Sequence, residues 1–200
     1  MTQTIAITTE DAECLFTQAR TAYAWQDSPV PSELIEQAWD MAKFGPTAMN
    51  CQPLRVAVVS SPEGKGRLVP HMGGGNQAKV DAAPVSLVLA ADPNFHERMP
   101  EFYPQYPGAR DNLASNLEAR TAMASKNAHL QAAYLLIALR AVGLACGPMD
   151  GMDFEGASAE FFADSDAKAF MVINVGYAQG AGTDVPRNPR ISFDDVAKSF

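Results

Sequence analysis

Basic residues are scarce in this chain, and a few stand where they could hold an anion. Arg20 is the first Lys or Arg of the sequence, and Lys79 follows Asn76 after a run of glycines. Arg187 and Arg190 sit in a proline-rich stretch, Pro186-Arg187-Asn188-Pro189-Arg190. A guanidinium presents a planar fork of donors that matches a phosphate. In 200 residues with 15 Lys+Arg against 23 Asp+Glu, such isolated cations suit one small anionic ligand. On spacing alone, ordinary solvated charges are the commoner outcome.

Other reactive types form no such set. Cys14, Cys51 and Cys146 are odd in number and widely spaced, which fits neither a disulfide framework nor a zinc knuckle. Cys51 could act as a nucleophile with a spatially adjacent His71 or His129, but a structural role is the better reading. His71, His96 and His129 are scattered, so no metal site is expected. Asp150 and Asp153 could pair as carboxylates, yet after Gly147-Pro148 they read as loop or cap residues. There is no Walker A, no G-x-G-x-x-G after a strand, no G-x-S-x-G and no H-E-x-x-H.

The net charge of −8 argues against a nucleic-acid binder or a polybasic membrane-surface protein. The longest apolar run, Ala132–Leu139, is far short of the roughly 20 residues of a span. The N-terminus carries acids and no basic leader, so a cytoplasmic protein of one domain, residues 1–200, is expected. Its charged fraction of 19% is low, which hints at apolar surface hidden in an oligomer.

The elements that must position these residues follow from pattern. Thr8 or Thr9 caps a helix with Ala12, Leu15, Phe16 and Ala19 at helical spacing. Ser32 caps a second, which Gly45-Pro46 stops. Leu54–Ser60, Val85–Ala91 and Phe170–Tyr177 read as strands, the middle one buried on both faces. Gly64–Gly75 reads as loop, Asn76–Ala82 suits a short helix, and Asn94–Gly108 is an excursion rich in Pro, Tyr and Phe. Asp111–Ala145 reads as one long helix whose second half is buried on every side, ended by Leu144–Pro148. The tail from Ala178 is irregular. Helices and strands intermix without strict alternation, which favours α+β over a doubly wound sheet.

Four segments, in order between residues 20 and 190, resemble the FMN-dependent nitroreductase family. Arg20-Thr21-Ala22-Tyr23-Ala24-Trp25 is similar to its phosphate-binding Arg-Arg-Ser-x-Arg-x-Phe. Pro46-Thr47-Ala48-Met49-Asn50-Cys51-Gln52-Pro53 is similar to Pro-Ser-x-x-Asn-x-Gln-Pro-Trp, which reaches the flavin across the dimer interface. Asn76-Gln77-Ala78-Lys79 is similar to the Asn-x-x-Lys at the ring edge and ribityl chain. Pro148-Met149-Asp150-Gly151 resembles the turn whose backbone faces flavin N5, and Arg190 matches the last phosphate ligand. Three positions depart from the pattern: Tyr23 replaces an Arg, Leu54 a Trp, and Asn188 a basic residue, with Arg187 adjacent to it.

The resemblance implies a three-layer α+β fold with an antiparallel or mixed central sheet flanked by helices. It implies an intertwined homodimer with FMN sites at the subunit interface. The cofactor-binding set it implies is Arg20, Thr21, Ala22, Pro46, Thr47, Ala48, Asn50, Gln52, Asn76, Lys79, Pro148, Met149, Asp150, Gly151, Arg187 and Arg190. NADH or NADPH would pass a hydride to flavin N5 and leave before a small-molecule acceptor enters, so no catalytic side chain is nominated. The branch it resembles most holds the malonic semialdehyde reductase of bacterial pyrimidine degradation, which forms 3-hydroxypropanoate. There Arg55 or Arg110 would meet the substrate carboxylate. General nitro or quinone reduction, and a non-catalytic flavin carrier, are the alternatives.

Overall fold

Val85–Ala91 (β2) is apolar at every position but Ser86, and all seven residues are buried. The reason is its place in the computed structural model, which describes residues 7–180 and 186–200. β2 is an inner strand of a four-stranded sheet with β1 (Leu54–Val59), β3 (Ala145–Met149) and β4 (Lys168–Gly176). The order is β1-β2-β4-β3 and every pair of these strands is antiparallel, so among the described residues the sheet is the antiparallel one of the two types expected.

Short helices α1 (Thr9–Ala12), α5 (Met99–Phe102), α6 (Ala109–Ala114) and α9 (Phe193–Val196) lie along the connections and tail. The longer ones make two layers. Against one face, α2 (Ser32–Ala42) and α7 (Leu117–Ala141) close a core that includes Ala38, Leu87, Leu89, Leu135, Leu139 and Ile173. Against the other, α3 (Pro62–Leu68), α4 (Gly74–Ala82) and α8 (Phe154–Phe161) cover Val80, Val88, Ala157 and Val172. Alternate residues of β2 feed the two cores, as the period of two along a strand requires.

Three sequence expectations need correction. Gly64–Gly75 is not loop: α3 starts at Pro62 with Ser61 as its cap, and α4 begins at Gly74. Asp111–Ala145 is broken, because the Asn116 side chain accepts from Ala119 N–H and starts α7 afresh. Its end, Ala145–Met149, is a strand. Nor is α7 buried on every side: Leu130, Ala133 and Ala141 face outward in the single chain.

One polar thread crosses the second layer. Lys65 Nζ donates to Val80 O (2.8 Å) and Ser86 Oγ (2.7 Å). Ser86 donates to Asn174 Oδ1 (2.6 Å), and Asn174 Nδ2 donates to Lys79 O (2.9 Å). The thread holds the C-terminal end of α4 to the sheet, each buried group finding a partner. Burial pulls the Lys65 ammonium down to about 8 against a weaker upward pull from Asp81. Between that value and the ordinary 10.5 the unfolded chain binds more protons, so stability rises with pH there. Relative to Lys65→Met, the wild type should gain roughly 2 kcal/mol between pH 7 and 9.5. Urea unfolding at both pH values checks this; a constant difference would mean Lys65 stays charged.

Candidate functional site

The site grows from the free edge of β3. Along an antiparallel strand, alternate residues turn their backbone groups toward the neighbour and away from it. Cys146 turns away from β4, and Thr21 bridges to it in parallel, with Ala22 N–H donating to Cys146 O (3.0 Å). Pro148 falls on an outward position, where a missing N–H costs nothing. Asp150 follows in the same phase, its N–H without an acceptor among the described residues.

Pinned to this edge, Arg20, Thr21 and Tyr23 line a cavity of about 630 Å³ with Arg187 and Arg190 from the tail. Arg140, from the last turn of α7, lines it too and was not among the sequence candidates. Its position at a helix C-terminus, where a cation is expected for other reasons, concealed it. Arg187 Nη2 donates to Ala19 O (2.9 Å) and Arg140 Nη1 to Leu15 O (2.8 Å). Arg190 Nη1 donates to Asn188 O (2.9 Å). Among the described residues, no carboxylate pairs with any of the four arginines. Partial desolvation, then the like charges of Arg20, Arg190 and Arg140, lower the Arg187 guanidinium from its ordinary value.

A second group adjoins it. Gly73 N–H donates to Gly151 O (2.9 Å), and Asn76 Nδ2 donates to the same oxygen (3.1 Å). Lys79 Nζ donates to Asn76 Oδ1 (3.1 Å) and stands 5.4 Å from the centroid of the Tyr23 ring. Tyr23 therefore links the arginine cavity to Lys79, Asn76 and the β3 turn. A Cβ at Gly151 would come within 2.8 Å of Asn76 Nδ2, so a side chain there would push the Asn76 amide aside. Arg20–Ala22, Asn76, Lys79, Pro148–Gly151, Arg187 and Arg190 thus lie along one strip.

Pro46–Gln52 does not join them within one chain. Ala48 N–H donates to Asn127 Oδ1 (2.8 Å), and Asn127 is thirteen residues before Arg140 on α7, about 20 Å along the axis. The segment is strained: Met49, Asn50 and Gln52 have φ of 53°, 52° and 43°. α7 holds it in place. Gln131 Oε1 accepts from Leu54 N–H (3.0 Å) and Tyr134 OH donates to Pro46 O (3.1 Å). The strain turns Asn50 and Gln52 toward each other, with Gln52 Nε2 donating to Asn50 Oδ1 (3.2 Å). Asn127→Ala would leave Ala48 N–H unpaired, and a loss of about 1–3 kcal/mol in urea unfolding is expected.

The other candidates resolve simply. Cys51 is fully buried in the core, and burial pushes its thiol up to about 11, so it is no nucleophile. His129 stacks on Phe170, and His71 lies 3.9 Å from Asp153. Asp153 caps α8, accepting from Gly156 N–H (3.0 Å). Arg55 is committed to Asp92 (2.6 Å) and to the Gln52 and Leu54 carbonyls, and Arg110 pairs with Asp111 (3.0 Å). Among the described residues no helix is long and apolar enough to cross a membrane.

Comparison with known proteins matches residues 17–177 to the model of the nitroreductase family. A Streptomyces coelicolor protein carrying the name NADH dehydrogenase/NAD(P)H nitroreductase is 46% identical over 184 residues, 92% of this chain and 93% of its own. Two solved structures share the fold. A Bacillus subtilis protein described as a nitroreductase has a TM-score of 0.84 at 18% identity, over 96% of this chain and 100% of that one. An Exiguobacterium sibiricum protein, described as a nitroreductase in complex with FMN, has a TM-score of 0.81 at 20% identity, over 98% and 100%.

Proposed function

As the chain belongs to the nitroreductase family, we propose that it is an FMN-dependent NAD(P)H oxidoreductase. The observation that carries the reading is the cavity lined by Arg20, Arg187 and Arg190, cationic and without a paired acid among the described residues. The residues fit FMN in three ways. The arginine forks suit its phosphate. Asn76 and Lys79 offer donors for polar ring atoms, and the unpaired Asp150 N–H offers another from the β3 edge. Gly147 lets the Arg20–Ala22 segment lie close against the β3 edge, which brings Arg20 beside that strand.

FMN, when bound, supplies the hydride chemistry that amino-acid side chains lack. The chain's residues bind and bias it. Arg20, Arg187 and Arg190 hold the phosphate, while Thr21 and Ala22 place Arg20 through their bond to β3. Asn76, fixed by Gly151 O, holds Lys79 in place. The Lys79 charge favours negative charge at the ring edge, and its geometry is set before any reaction.

Asn50 and Gln52, with Pro46, Thr47 and Ala48, lie against the middle of α7, where Asn127, Gln131 and Tyr134 hold the segment. They do not line the arginine cavity of their own chain, so in this reading they complete the site of a second copy and the working unit is a homodimer. Phe44 (82% exposed) and Leu130 (41%) lie beside that segment and would be covered by the partner. For the acceptor, Arg55 and Arg110 bear on the choice. Arg55 is already held by Asp92 and two carbonyls, while Arg110 meets only its exposed neighbour Asp111. The acceptor is then either malonic semialdehyde, reduced to 3-hydroxypropanoate with Arg110 as the freer cation, or a neutral nitro or quinone compound that needs neither arginine.

The test is direct. Purified protein should be yellow, and NADH or NADPH should bleach it without oxygen. Steady-state turnover with each nicotinamide against a nitroarene, a quinone and malonic semialdehyde then ranks the acceptors. A yellow protein that neither nicotinamide bleaches would be a flavin carrier instead. A colourless one that takes up no FMN would end the reading.

A further inference from the structure

We propose that Arg140 is a fourth phosphate-binding residue, the one cation of the cluster carried on a long helix, against which the tail arginines Arg187 and Arg190 close on the phosphate of FMN. This rests on the FMN reading above. Arg140 belongs to the last turn of a 25-residue helix whose neighbouring Ala138 and Leu139 are buried, so its backbone is fixed. Its bond to Leu15 O uses one of five N–H donors. The others have no acceptor among the described residues, although the guanidinium is half-buried and lines the cavity.

The tail is held differently. Arg187 reaches the body through Ala19 O, and Arg190 donates to the carbonyls of its own Asn188 and Pro189. Residues 186–200 are exposed throughout except for half-buried Ala197. Four like charges around one cavity repel one another, which works against docking of the tail. A phosphate monoester, carrying close to two negative charges at neutral pH, reverses that sign. Arg140 and Arg20 are then the standing half of the site, and the tail supplies the closing half.

Arg140 could instead serve only the helix end and Leu15, and riboflavin separates the two roles because it lacks the phosphate. Flavin-free full-length protein is titrated with FMN and with riboflavin, following flavin fluorescence. In Arg140→Gln the FMN Kd should rise about tenfold while that of riboflavin stays within about twofold. Arg140→Lys, which keeps the charge and loses the fork, should recover most of the difference. Equal weakening of both ligands, or no change in their ratio, would overturn the assignment. Trypsin reads the closure: FMN should slow cleavage at Arg187 and Arg190 more than riboflavin does, and equal protection would rule closure out. Wild-type protein that binds neither flavin would defeat the FMN reading itself. Wild-type preference for FMN with an unchanged ratio in Arg140→Gln would defeat the Arg140 assignment alone.

Discussion

Arg20→Ala is expected to weaken FMN binding by about 100-fold while leaving the melting temperature of the flavin-free protein nearly unchanged. A hydrogen bond to a charged group contributes roughly 1.5–3 kcal/mol, and a two-pronged contact lies at the upper end of that range. Arg20 carries no ion pair or side-chain hydrogen bond among the described residues, so removing it breaks nothing else in the fold. Its backbone is set by the Thr21–Cys146 bridge and stays put. Arg190→Ala should cost less, about tenfold, because part of that guanidinium is already spent on Asn188 and Pro189. Fluorescence titration of both variants, with melts in the absence of flavin, checks the order. An Arg20→Ala protein that binds FMN like the wild type would move the phosphate elsewhere.

Much of the strip was legible in the sequence because its chemistry and its chain order are local facts. Arg20–Ala22, Asn76, Lys79, Met149–Gly151, Arg187 and Arg190 are short motifs. β2 was legible end to end because a strand covered on both faces writes an unbroken apolar run. β3 was not. Ala145–Met149 contains Gly and Pro, which read as the end of a helix, yet both are at home in this strand. Gly147 is required by the approach of Ala22, and Pro148 sits where its backbone faces away from the sheet.

Arg140 was illegible for a related reason. A basic residue in the last turn of a helix has a sufficient local explanation in the helix dipole, and nothing local reports what it faces in space. The departure at Tyr23 suggested a site short of positive charge. The cavity nonetheless has four arginines, because α7 supplies one from 120 positions downstream of Arg20. The apolar second half of α7 misled in the opposite direction. Its pattern predicts burial all round, while a single chain leaves Leu130, Ala133 and Ala141 open. An apolar run in a helix reports composition on every face, and only the tertiary packing decides which faces meet the core.

Gly147→Val is expected to damage the scaffold and the site together, although valine is a better strand former than glycine. A Cβ here would lie 2.6 Å from Ala22 O, and the obstacle is backbone, not the flexible end of a side chain. Either β3 shifts against β4, or the segment carrying Arg20, Thr21 and Tyr23 lifts from the edge. In both cases the Ala22 N–H to Cys146 O bond is strained or lost between two buried residues. Overpacking costs roughly 1–3 kcal/mol and the bond about 1 more. For a chain of this length that corresponds to about 10 °C in melting temperature. The molecules that still fold should bind FMN more weakly, since Arg20 moves with the segment. Gly66→Ala is the matched control: it is a helical glycine with nothing within 4 Å of the added carbon, and it should be neutral or slightly stabilising. Thermal melts of the two variants, followed by FMN titration at 20 °C below each midpoint, separate the loss of stability from the loss of the site. If Gly147→Val melted within about 2 °C of the wild type, the edge of β3 would be soft, and it could not be what positions Arg20.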